Sequence, residues 1–218
     1  MVNGKFYTKR EEQANYLTHG FGVIMSLAAT VVLINRAMEA HNCRAVIVYF
    51  LFGLGMLACM GASTLYHYVQ TPELKSKLRH FDHAAIYILI AASYSPFTLI
   101  LLRDKPFWGW FIFALVWFIA FTGIYISFQP LKRNSNLKTT SYVLMGMIVL
   151  IAFKPLLEVA RAKDVIESVY WLIGGGVFYI VGAVIYAKAK REFVHAIFHV
   201  FVLLGLASHI NAAYLIPL

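Results

Sequence analysis

Seven apolar stretches follow one another along this chain with only short connections between them. They run approximately over residues 17–39, 45–68, 82–102, 107–128, 139–159, 167–187 and 194–216. Roughly 17–25 residues carry a helix across the hydrocarbon core of a bilayer. In lipid every backbone amide and carbonyl must find its partner within the protein, so a spanning segment of this kind folds as a helix. The residue balance agrees: 61% of the 218 residues are hydrophobic and 13% are charged, which is more apolar surface than a soluble domain of this size can hide. The expectation is an all-α integral membrane protein, a seven-helix transmembrane bundle over 17–216 preceded by a polar segment, 1–16. That segment lacks the short apolar core and small-residue cleavage site of a signal peptide. The first span is therefore expected to stay in the mature protein.

Orientation follows from the basic residues. Lys5, Lys9 and Arg10 precede the first span, and Lys75, Lys77 and Arg79 lie between the second and third. Lys132, Arg133 and Lys138 join four to five, and Lys188, Lys190 and Arg191 join six to seven. These four segments share one side and hold 12 of the 19 Lys and Arg residues. The positive-inside rule places that side, with the N-terminus, in the cytoplasm and the C-terminus outside. The net charge of +9 is thus a topology signal and a contact with anionic lipid head groups. Basic residues scattered over short loops make no nucleic-acid surface.

Turn chemistry supports the boundaries. Pro72, Pro106 and Pro130 sit beside spans, where a missing amide is tolerated. Pro96 inside the third span is expected to kink it, with Ser93 or Ser95 re-satisfying the freed backbone, and Pro155 does the same in the fifth. Small residues in the second span (Gly53, Gly55, Gly61) and the sixth (Gly174, Gly175, Gly182) permit close helix approach. Cys43, in a loop, and Cys59, deep in the second span, are about 24 Å apart at 1.5 Å per helical residue, too far to bridge.

The chemistry concentrates in a few polar residues. His195 and His199 stand at i and i+4, on one face of the last span, a spacing that lets both bind one metal ion. Ser63 and His67 repeat that spacing near the end of the second span. Asp82 falls in the first turn of the third. The orientation, assigned from Lys and Arg alone, puts all five at the cytoplasmic end of the bundle. Three neutral imidazoles and no thiolate suit Zn²⁺ and leave its fourth position to water, as in catalytic zinc sites. Asp82 is then placed to take or orient the water's proton, and Ser63 to hydrogen-bond the water or an oxyanion. The expected chemistry is hydrolysis of an amide or ester in a lipid that reaches the site from the membrane.

Duller roles exist for each residue. A histidine at a helix end is commonly interfacial, an aspartate in a first turn can cap the helix, and a membrane serine commonly bonds the carbonyl four residues back. His19, in the first turn of the first span, is a candidate to support the ligands from behind. His80 and His83 flank Asp82 on different faces, so at most one of them assists, and His83 is kept as the second supporting candidate. His209 lies too far along its helix to join. His41 is expected in a solvated loop.

The segments Glu11-Glu12-Gln13-Ala14-Asn15, Thr18-His19-Gly20, Ser63-Thr64-Leu65-Tyr66-His67, Phe81-Asp82-His83, Ser93-Tyr94-Ser95-Pro96, His195-Ala196-Ile197-Phe198-His199 and Ser208-His209 together resemble the hemolysin III group of the progestin and adipoQ receptor family, within the wider alkaline ceramidase-like superfamily of membrane hydrolases. The resemblance implies seven helices, a cytoplasmic N-terminus and one zinc near the cytoplasmic face. It implies His67, His195 and His199 as zinc ligands, with Ser63 and Asp82 beside the ion. Adiponectin-receptor relatives are associated with ceramidase activity, and bacterial members with membrane homeostasis and the hemolysin name. The chain carries no counterpart of the long N-terminal domain of the receptor relatives, which argues against a hormone-receptor role and for a bacterial inner-membrane protein.

Three functions compete. The first is a zinc-dependent hydrolase acting on membrane lipid, and the second a non-enzymatic, zinc-stabilised sensor or regulator of membrane state. The third is a pore-forming cytolysin, disfavoured because no polar stripe runs through the spans. A retinal protein is excluded, since residues 194–216 hold no lysine. No protein partner is expected.

Overall fold

The computed structural model describes residues 7–129, 135–188 and 191–218. Lys5, Pro130, Lys132, Arg133 and Lys190 lie outside the described residues. The chain folds into helices α1 (Lys9–Glu39), α2 (Cys43–Tyr68), α3 (Pro72–Leu99), α4 (Pro106–Ser127), α5 (Ser135–Gly146), α6 (Phe153–Ala162), α7 (Ile166–Lys188) and α8 (Val194–Tyr214). Short 3-10 segments follow α3 and join α5 to α6. No strand occurs among the described residues.

Local sequence explains where these helices start. Thr8 and Glu11 form a capping box on α1: the Glu11 amide donates to Thr8 Oγ1 at 3.3 Å, and the Thr8 amide to Glu11 Oε2 at 2.8 Å. Asn42 caps α2 by accepting from the Ala45 amide at 3.1 Å. Pro72 and Pro106 open α3 and α4, where their lost amides would have had no helical partner.

Among the described residues, six helical segments are long and apolar enough to cross a membrane, with α5, the 3-10 turn and α6 acting as one rod over Lys138–Ala162. The expected third span, α3, is the exception: it is long enough but falls short on apolar content, so this criterion finds six of the seven expected spans. Asp82, His83, Ser93, Ser95, Pro96 and Thr98 dilute the apolar content of α3. The physical reason lies in its surroundings. α3 packs against α2, α4, α5 and α8, and from Ala84 to Thr98 most of its side chains are buried. A helix that meets protein on several sides need not satisfy lipid.

Two finer expectations also change. The fifth span is not one α-helix: its ladder tightens to 3-10 over Met147–Ala152. The Tyr94 hydroxyl from α3 sits in the break, donating to the Gly146 carbonyl at 2.7 Å and accepting from the Val149 amide at 2.9 Å. The serines before Pro96 do not serve the carbonyl that proline frees. Ser93 donates to Ile90 O and Ser95 to Ala91 O, two residues and one residue short of it.

α1 packs on α2, α2 on α3 and α3 on α4; α7 packs on α8, and α8 returns to α1. The bundle interior is filled by Leu33, Tyr49, Phe52, Met56, Met60 and Leu206. Large apolar side chains such as Phe21, Ile24, Phe107, Phe118 and Tyr170 point outward, as lipid-facing positions do. At the end holding the α1–α2 turn, Lys163 pairs with Asp104 at 2.7 Å and Lys105 with Glu158 at 3.3 Å. Arg36 donates to the Ile216 carbonyl at 3.0 Å. Basic residues of that end are thus partly neutralised. Both cysteines are free.

Candidate metal centre

The opposite end of the bundle gathers the first turn of α1, the last turn of α2 and the first turns of α8. His67 is in the last turn of α2 and fully buried; His199 is 2% exposed, and His195 is partly exposed. One nitrogen from each of these three residues lies within 4.8 Å of the other two. His67 Nε2 and His195 Nε2 are 3.1 Å apart.

The outward nitrogens show which atoms face inward. His67 Nδ1 is 2.6 Å from Glu12 Oε2, a short contact in which the imidazole donates to a carboxylate. Asn15 Nδ2 is a more distant neighbour of the same nitrogen, at 3.4 Å. His199 Nδ1 faces the Asn15 carbonyl at 3.4 Å and Thr18 Oγ1 at 3.3 Å. Thr18 spends its own proton on the Ala14 or Asn15 carbonyl, at 2.8 and 2.9 Å, so its oxygen is free to accept. Both imidazoles are therefore Nδ1–H tautomers with bare Nε2 atoms, and that of His67 faces His195.

This donor set fits a tetrahedral cation. Two nitrogens each about 2.0–2.1 Å from such an ion are separated by about 3.3 Å, close to the 3.1 Å between His67 and His195. Neutral nitrogen donors without thiolate match zinc chemistry.

The other residues expected at the site divide into two groups. Ser63 is buried one turn below His67 and pairs with Asp82, whose carboxyl lies within electrostatic reach of His67 and Arg79. His19 is buried with its ring 3.7 Å from that of His199, and neither of its nitrogens has a hydrogen-bond partner among the described residues. His80 and His83 stay apart. His80 Nδ1 is 2.7 Å from the Ser127 carbonyl at the end of α4. His83 lies toward Lys138 and Arg79, and its backbone accepts from Tyr142 on α5. His209 faces α7, 3.2 Å from the Leu172 carbonyl.

Sequence reasoning gave no role to Glu12, Asn15, Thr18 or Tyr7. Three of them recur at i, i+3 and i+6 on one face of α1, a spacing visible in the chain but lying partly in the segment set aside as polar. Tyr7 stacks on His195 at 5.0 Å between centroids and meets His67 edge-on at 5.8 Å. Its ring thus packs against both imidazoles.

Comparison with known proteins places the chain in a family. The profile of the family described as "Haemolysin-III related" matches residues 7–210. "Hemolysin-3" of Bacillus cereus is 37% identical over 198 residues, covering 91% of this chain and 88% of the relative. The "Hemolysin-3 homolog" of Bacillus subtilis is 39% identical over 202 residues, covering 93% and 92%. The human "Monocyte to macrophage differentiation factor" is 29% identical over 226 residues, covering 98% and 87%. With a profile spanning nearly its whole length and two bacterial relatives above one-third identity, this multi-pass membrane chain belongs to the haemolysin-III-related family.

Proposed function

We propose that the chain is a zinc-dependent hydrolase of amide or ester bonds in membrane lipids, working at the cytoplasmic face of a bacterial inner membrane in lipid homeostasis. The observation that carries this proposal is the convergence of His67, His195 and His199, with the outward Nδ1 atoms of His67 and His199 held by acceptors. Zinc at such a site supplies a Lewis acid that polarises a carbonyl and activates water at neutral pH. Asp82 is the group to hold a proton taken from that water. Ser63, paired with Asp82, fixes the carboxyl and offers a hydroxyl to developing negative charge. Tyr7, stacked on His195, covers one side of that imidazole.

The interior argues against a pore. Beyond the cluster Phe52, Met56, Met60 and Leu206 are each 0% exposed, so apolar side chains fill the path a channel would need. Ser26 and Thr30, the buried hydroxyls of α1 in that region, bond carbonyls of their own helix.

The first test is metal content of the detergent-purified chain beside His67→Ala and His199→Ala. About one zinc per chain is expected, lost in both variants, together with zinc-dependent release of fatty acid from a panel of lipid amides and esters. Absence of metal from protein prepared without chelator overturns the proposal. Bound zinc with no turnover of any lipid in the panel would leave a zinc-stabilised regulator in place of a hydrolase.

A further inference from the structure

Behind His67 lies a second, oppositely charged pair. Glu12 is 6% exposed, and its two carboxylate oxygens are divided. Oε2 takes the His67 Nδ1 proton at 2.6 Å, while Oε1 receives Lys75 Nζ at 3.0 Å. Lys75 is held in turn. Its ammonium donates to the Tyr66 carbonyl at 2.8 Å and the Val69 carbonyl at 3.1 Å, at the C-terminal end of α2, and lies 4.8 Å from the Tyr66 ring centre. The series Lys75, Glu12, His67 therefore runs from the rim of the bundle into the cluster and crosses three helices.

We infer that Glu12 is a positioning residue for the metal centre, and that Lys75 sets how strongly it acts. The inference rests on the zinc reading of the cluster. A carboxylate behind a ligand histidine fixes the ring and its tautomer and raises the electron density on the nitrogen facing the ion. Lys75 pulls in the other sense. Its positive charge on Oε1 weakens the carboxylate as an acceptor and opposes a cation nearby. The two charges hold the same ion pair, yet they act on the metal with opposite sign. That contrast separates a positioning role from a purely structural salt bridge, whose loss would be the same whichever partner was removed.

The test is zinc retention by the full-length, detergent-purified chain against a graded series of competing chelator, with thermal unfolding followed in parallel. Glu12→Gln should weaken retention by about 10–100-fold, the range typical of an outer partner to a ligand histidine. Lys75→Met should retain zinc as tightly as wild type or more tightly, while unfolding at lower temperature because a buried carboxylate has lost its partner. The double variant Glu12→Gln with Lys75→Met leaves no unpaired charge to unfold the chain, and should be as weak as Glu12→Gln alone. Wild-type retention in Glu12→Gln or in the double variant overturns the inference. So does equal loss of zinc in both single variants. If wild type holds no zinc at all, the zinc reading itself has failed, which is a separate outcome.

Discussion

Thr18 and Asn15 share the work of holding His199, and the sharing sets what each deletion costs. With Thr18→Val the Nδ1 proton still has the Asn15 carbonyl, 3.4 Å away. Zinc affinity should then fall by less than about tenfold, below the usual span for removing an outer partner entirely, and chelator competition reads the difference. Asp82 and Ser63 call for another measurement. Neither belongs to the group of nitrogens that converge, so Asp82→Asn and Ser63→Ala should each keep about one zinc per chain while lipid hydrolysis falls by at least about 100-fold, the lower range for a general acid–base group. Loss of metal in Asp82→Asn would make it a ligand instead. The three histidines were legible in the chain because helical spacing and alternating topology are both simple periodic facts. Glu12 was not. The apolar pattern starts the first span at residue 17, but the helix begins at Lys9, under a Thr8 and Glu11 capping box. A polar turn that reads as an aqueous tail is in fact the first turn of the helix that supports the site.

At the scale of helices, close packing carries the geometry. A side chain at Gly55 would collide with Ala92 on α3, and α2 and α3 hold His67, Ser63 and Asp82 between them. Gly55→Val should cost about 1–3 kcal/mol through overpacking, lower the unfolding temperature in detergent, and separate Asp82 from Ser63. The broken fifth crossing has its own keystone. Tyr94→Phe removes the hydroxyl between the Gly146 carbonyl and the Val149 amide, so the unmet backbone groups should cost about 1–3 kcal/mol, again read by thermal unfolding. Most helices were legible from apolar length alone. The break at Met147–Ala152 was not, because its stabilising partner comes from another helix, and no local pattern in the fifth span announces a tyrosine arriving from α3.

For the molecule as a whole, the charge distribution makes a topological expectation that a native residue can check. Cys43 is exposed beside the α1–α2 turn, at the end away from the histidines, whereas Cys59 is buried. If the basic loops are cytoplasmic, a membrane-impermeant maleimide should label Cys43 in intact cells. Labelling only after the membrane is opened would invert the assignment and put the metal centre on the outer face. The buried polar helix has a consequence for biogenesis. α3 contains Asp82 and His83 near its start and Pro96 near its end, and it is the crossing that apolar composition does not commit to lipid. Released alone into a bilayer during synthesis, it would be left with polar groups facing hydrocarbon, each costing several kcal/mol at the order of magnitude of an unpaired group in lipid. It must wait, at the insertion machinery or the interface, until α2 and α4 flank it. The helix that carries Asp82, the partner of Ser63 beside the candidate metal centre, is thus the one that cannot settle in the membrane before its neighbours do, and assembly of the bundle is tied to assembly of the candidate site.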